Sequence, residues 1–193
     1  MCLAYSATKG QGGNIVCTVS LCVAAREGDT FHCFKNGWAL CVDEIVLTTI
    51  EPTQHADDRW NFCFSKATCD YIFWLHPADT IDAENQKRLA TLLSTLDGTA
   101  DIVMMSGQPR LVKRENHYLW FDPAVPILYT WGKKQFADIA IVTPQKKMAD
   151  FERIACVYAD TLKNGASLTP RAAYYYAQAL EKTSRETAAA NGL

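Results

Sequence analysis

The chain has 193 residues, enough for one good core or a core with a small appendage. Apolar residues make up 49% and charged residues 21%, the balance of an ordinary globular chain rather than a disordered or membrane-embedded one. A net charge of -2 gives no reason to expect a nucleic-acid footprint, which needs a surplus of Lys and Arg on one face.

The start of the chain, residues 1–13, is small and polar with three glycines, and reads as a loose leader. It lacks the basic start and apolar stretch of a signal peptide, and no segment reaches the ~20 apolar residues of a membrane span. A cytoplasmic location is therefore expected. From Asn14 to Ala24 apolar residues alternate as in a strand, with Ile15, Cys17, Val19, Leu21 and Val23 on one side. Phe31, Phe34 and Trp38 then recur at helical spacing between Thr30 and Leu40, a pattern that Gly37 weakens. "DEIVLTT" is a second short strand, and 51–60 reads as polar and turn-rich.

"FCFSKATC" predicts a helix leading through Asp70 into the apolar strand "YIFWL". After the turn that follows, Asp82 is placed as an N-cap, and Leu89, Leu92, Leu93 and Leu96 mark a core-facing helix that stops at Gly98. "DIVMM" is the next strand, and "DIAIV" the clearest strand within the aromatic and proline-rich stretch 106–145. The end of the chain turns helical. Met148, Phe151, Ile154, Tyr158 and Leu162 share one face, "KNGAS" interrupts, and Thr169 caps a second helix that has Pro170 at its first position.

Strands alternating with helices predict an α/β fold, a mostly parallel sheet over 1–146, with a helical hairpin over 147–193 packed on it. The eight cysteines contain no C-x-x-C pair and sit mainly in apolar runs, so reduced, mostly buried thiols are expected.

The order of pieces resembles family-2 glycosyltransferases. "SLCVAAREGDTFHCFKNGWALCVDEIVL" is similar to their opening strand, helix and second strand. "NFCFSKATCDYIFWL" with "IDAENQKRLATLL" is similar to the next block. "PRLVKRENHYLW" is similar to a later Arg-Leu-x-Arg stretch that precedes a Trp, and "PRAAYYYAQALEK" to the helical hairpin that often follows. The resemblance spans roughly 18–187 and implies a nucleotide-sugar transferase domain of the A type.

The departures concentrate at chemical positions. Thr49 stands where the family has a base-gripping aspartate, and Gln54 at its second one. The acidic turn Asp-Ala-Asp-Asp becomes His76, Pro77, Ala78 and Asp79, and "WFDPAVPI" lacks the later His and Glu. That turn normally holds Mg²⁺ or Mn²⁺ against the leaving diphosphate. Losing two carboxylates disfavours either ion, so no metal is assigned.

Two readings follow from the resemblance. In the first, a metal-poor glycosyltransferase binds a nucleotide sugar through Thr49, His76, Arg110, Lys113 and Arg114, with Asp79 or Asp122 as the base for an acceptor of unread class. In the second, a catalytically silent relative keeps the scaffold for a protein partner or a homo-oligomer. The bland reading of Arg110 is that it anchors its loop to a nearby carboxylate; Cys69 reads as a packing residue.

Overall fold

A computed structural model describes residues 2–6, 16–26, 28–33, 41–50 and 55–190 of the chain. Its strands are β1 (Cys2–Ser6), β2 (Val19–Arg26), β3 (Glu44–Ile50), β4 (Tyr71–Trp74), β5 (Ile102–Met105), β6 (Gln108–Lys113), β7 (Leu119–Phe121), β8 (Ile127–Tyr129) and β9 (Lys134–Phe136). The helices are α1 (Ala56–Lys66), α2 (Ala83–Ser94), α3 (Met148–Lys163) and α4 (Pro170–Ala190). None is long and apolar enough to cross a membrane.

Seven strands form one sheet in the order β1-β3-β2-β4-β6-β5-β9, and β7 with β8 form a second. β3, β2 and β4 run parallel, as do β5 and β9; β1 runs antiparallel to β3, and β6 antiparallel to both its neighbours. Five of the seven strands therefore point the same way. The predicted strands at 15–24, 44–49, 70–75 and 101–105 all belong to this sheet, although the first of them begins only at Val19.

Successive side chains of β4 leave opposite faces, which divides the core. Tyr71 and Phe73 join Leu89, Leu93 and Leu96 from α2 and its end, with Leu21, Val103 and Leu111 beneath them. On the other face Trp74 meets Trp60 of α1 at 5.4 Å between ring centroids, and the Cys63 thiol reaches the Val46 carbonyl at 3.5 Å. α2 begins where Asp82 accepts the Asn85 amide at 2.8 Å, as the sequence predicts.

Carboxylates fasten the starts of the parallel strands. Asp43 accepts the Val19 amide at 2.9 Å, and Asp70 accepts the Thr18 amide at 2.8 Å. The buried Glu44 accepts the Thr68 amide at 2.8 Å and the Ser20 hydroxyl. The acidic pair in "VDEI" is thus consumed in holding strands.

The chain forms two compact units: 1–54, 59–119 and 128–144 make the first, and 55–58, 120–127 and 145–193 the second. In the second, Ile154 and Tyr158 of α3 pack with Ala172 and Ala179 of α4 and with Ala124. Thr169 caps α4 through the Ala172 amide at 3.2 Å. The second unit therefore takes in 55–58, 120–127 and 145–146 besides the predicted 147–193.

Several expectations need correction. Residues 2–6 of the predicted leader form β1, paired from Cys2↔Thr48 to Ser6↔Glu44, while 7–13 lie outside the described residues. Phe31–Cys33 are not helical, and 34–40 lie outside the described residues. The polar stretch 51–60 contains the start of α1 at Ala56, and Gln54 lies outside the described residues. "DIAIV" is not a strand; its one bridge is Thr80↔Val142. Of the seven cysteines whose side chains are described, Cys22, Cys33 and Cys63 are buried, Cys17, Cys41 and Cys69 half-buried and Cys156 exposed, so the expectation of mostly buried thiols holds for three of the seven.

Candidate functional site

The carboxyl ends of parallel strands are where open α/β sheets place their ligand sites, and the turn 76–79 lies there, just past β4. The turn is closed by its own backbone and by one side chain. The Asp79 amide donates to the His76 carbonyl at 3.0 Å, and the His76 amide donates to Asp79 Oδ2 at 2.9 Å. The Pro77 carbonyl accepts the amides of His32 and Cys33 at 2.7 and 3.1 Å.

Asp79 is fully buried, 0% exposed. Arg110 Nη1 donates to its Oδ2 at 2.8 Å, and the Thr143 hydroxyl donates to its Oδ1 at 2.6 Å. Arg110 Nη2 donates in turn to Thr143 Oγ1 at 3.2 Å. Register explains how Arg110 arrives: Val103 pairs with Leu111 but Met104 with Pro109, leaving Arg110 as the extra residue of a β-bulge. A bulge re-aims the side chain it carries. The guanidinium lies 4.1 Å from the centroid of the Trp74 ring, and the Trp74 indole N–H donates to the Pro109 carbonyl at 2.6 Å.

His76 packs edge-to-face against Trp60 and Trp74, with centroids 5.5 and 5.6 Å apart. Burial holds its pKa below the ordinary histidine value. Asp79 opposes that shift, while Arg110, Arg26 and Arg59 reinforce it. The imidazole thus lies within reach of one carboxylate and three guanidinium groups whose charges act in opposite senses, with burial the largest influence. Burial also lowers the Arg110 pKa, against the pull of Asp79.

This turn does not fit a divalent cation. Mg²⁺ and Mn²⁺ take about six oxygen ligands, and the turn offers a single carboxylate whose two oxygens already accept three hydrogen bonds inside the protein. Among the described residues one trio of metal-capable side chains lies together, His55, Asp57 and Asp58, with ligand atoms within 4.8 Å of one another. It is at the start of α1, a stretch with no predicted site residue; burial raises the Asp57 pKa.

The other predicted residues are dispersed. Thr49 is exposed near the end of β3, opposite Ala25 of β2. Lys113 and Arg114 sit at the far end of β6, roughly 10 Å along the strand from Arg110 by strand rise. Lys113 is ion-paired to Glu115 at 2.8 Å, which raises its pKa, and Arg114 Nε donates to the Cys69 carbonyl at 2.5 Å. Cys69 itself donates its amide to Ser20 Oγ at 3.1 Å, in keeping with a packing role.

Asp122 belongs to the second unit and adopts a left-handed φ of 89°. Its Oδ1 accepts the Ala124 and Val125 amides at 3.0 and 2.9 Å and the Tyr158 hydroxyl at 2.7 Å, and Arg171 Nη1 donates to its Oδ2 at 3.1 Å. Burial, then Asp122, pushes the Tyr158 hydroxyl above its usual pKa.

The structure thus unites His76, Asp79 and Arg110 and adds Thr143, Trp60 and Trp74, which sequence reasoning did not select. Trp74 reads in sequence only as an apolar strand residue, and Thr143 lies 64 positions from its partner Asp79 with no motif between them. No protein-family model matches the chain, and no curated protein matches it in sequence.

Proposed function

We propose that this protein is a catalytically silent relative of the family-2 glycosyltransferases, an A-type nucleotide-sugar transferase scaffold kept as a binding or assembly module. One observation carries the reading: the last carboxylate of the acidic turn is fully buried and bonded to Arg110, Thr143 and the His76 amide. A carboxylate so occupied neither holds a leaving-group cation nor takes a proton from an acceptor hydroxyl without breaking the turn. The test is calorimetry and a transfer assay with several nucleoside diphosphate sugars, with and without Mn²⁺. The expected outcome is no Mn²⁺-dependent affinity and no transfer; Mn²⁺-dependent turnover by the unmodified chain overturns the proposal. The double change His76→Asp with Ala78→Asp is expected to create a metal-dependent affinity, because it adds two oxygen ligands beside Asp79.

The three arginines whose charges reach His76, Arg110, Arg26 and Arg59, favour a second reading, a transferase in which guanidinium groups replace the cation. It requires metal-independent transfer that His76→Ala abolishes.

A further inference from the structure

A concavity lies at the opposite end of β4 from the 76–79 turn. Register places the start of β4 beside the end of β6, with Ile72 facing Val112 and Tyr71 facing Lys113. α1 ends at Lys66, and the chain turns back toward β4 through the Ala67 amide, which donates to the Phe64 carbonyl at 3.2 Å. The helix therefore stops short of this corner of the sheet. What remains is a pocket of about 260 Å³, floored by Phe64, Ile72 and Val112 and rimmed by Lys113, Arg114 and His117.

The floor is greasy and the rim is cationic. Phe64, Ile72 and Val112 are 8%, 4% and 1% exposed, so the floor is made of core side chains, while the mouth is open to solvent. Arg114 is fixed by the bond from Nε to the Cys69 carbonyl, and its Nη atoms make no hydrogen bond to a described residue. Lys113 is held at the rim by Glu115, the one carboxylate in the Arg114–Asn116 turn. The nearby Asp101 is spent on the Lys133 amide at 2.7 Å and the Asn116 side chain at 3.2 Å. His117 adopts a left-handed φ of 51°, and its amide closes the turn on the Arg114 carbonyl at 3.1 Å. Histidine is one of the non-glycine residues that enter this region, and here it ends the Arg114–Asn116 turn.

We infer that this pocket binds a small aromatic anion, with the flat apolar body on Phe64, Ile72 and Val112 and the anionic group against Arg114 and Lys113. The chemistry of each part selects for the other. An inorganic anion leaves the apolar floor wet, and a neutral ring leaves the Arg114 fork unmatched. The volume admits one or two fused rings, not a peptide. The inference does not rest on the reading of the 76–79 turn, which could fail while this pocket binds, or the reverse.

The test is titration calorimetry of the full chain with 1-naphthalenesulfonate, with 1-naphthalenemethanol as the neutral counterpart and sodium sulfate as the bare anion. Saturable binding of the sulfonate is expected, with each comparison compound at least roughly tenfold weaker, a difference of about 1.4 kcal/mol. Arg114→Gln is expected to weaken the sulfonate at least fivefold and leave the alcohol unchanged. Ala67→Phe, which fills the lining, is expected to abolish both. His117→Gly keeps the fold testable if Ala67→Phe does not fold: it relieves the left-handed backbone, so the melting temperature holds or rises while sulfonate affinity falls. Equal affinity for sulfonate and alcohol, unchanged binding in Arg114→Gln and His117→Gly, or no saturable binding of the sulfonate overturns the inference.

Discussion

At the scale of single residues, the pair Asp79–Arg110 decides what the turn can do. Both side chains are out of water, at 0% and 3% exposure. Removing one partner of such a pair leaves a buried charge unmatched, which costs about 3–5 kcal/mol. Asp79→Ala and Arg110→Ala are each expected to lose that much stability in urea denaturation, and the double variant less than their sum. A free catalytic base behaves differently, since Asp79→Asn would then spare stability and remove only turnover. His76 adds a pH dependence whose sign follows from its lowered pKa. The unfolded chain, with a histidine pKa of about 6.5, binds the proton before the folded one does. His76 therefore contributes stability above about pH 6.5 that is lost as the pH falls below it. Denaturation midpoints followed from pH 8 to about pH 5 are expected to drop at the acid end, and His76→Gln to flatten its share of that slope.

Among the elements, those with their own signals were legible and those defined by their neighbours were not. α2 announces itself by Asp82 and its leucines, α4 by Thr169 and Pro170; Asp82→Ala is expected to cost about 1 kcal/mol, read from thermal unfolding. α1 was misplaced because His55, Asp57 and Asp58 resemble a polar turn, although acidic groups suit the first turn of a helix. "DIAIV" alternates like a strand, with Ile139 and Ile141 buried and Ala140 and Val142 outside. Besides the bridge of Val142 to Thr80, its backbone bonds to side chains: the Ile141 amide donates to Ser106 Oγ at 2.8 Å and the Ala140 amide to Asn85 Oδ1 at 2.8 Å. Alternation reports burial on one side; it does not report a strand partner. The approach to β9 is equally hidden. Gly132 has φ 110°, and a Cβ there would meet Asp101 Oδ2 at 2.5 Å. Gly132→Ala is expected to cost about 1–3 kcal/mol in chemical denaturation, through strain in the backbone and displacement of Asp101.

For the molecule as a whole, sequence order conveyed the sheet and its helical appendage but not the sites. His76 and Asp79 lie within one short stretch of sequence. Their partners Arg110 and Thr143 come from β6 and from the segment after β9, and only folding brings them together. The thiols give a global readout of that folding. Cys156 is exposed, whereas Cys22, Cys33 and Cys63 are buried, and burial pushes the Cys33 thiol up to about 12. Mass-resolved alkylation is expected to label Cys156 within the native protein and the buried three only as it unfolds. Comparable early labelling of Cys33 would contradict the core described above.

The position of β1 has a consequence for how the chain reaches this state. The first strand in sequence lies on the outer edge of the sheet, and Cys2 finds Thr48 only after an excursion of 46 residues. Its template, β3, is itself held by β2. An edge strand whose one neighbour must already be in place enters late, because the template for its hydrogen bonds is absent until β3 has joined β2. β1 should therefore join after β2, β3 and β4 have paired, and leave first under mild denaturant. Pulsed hydrogen exchange would show amides in β1 gaining protection more slowly than those in β2, giving assembly from the centre outward although the chain is made from the edge inward.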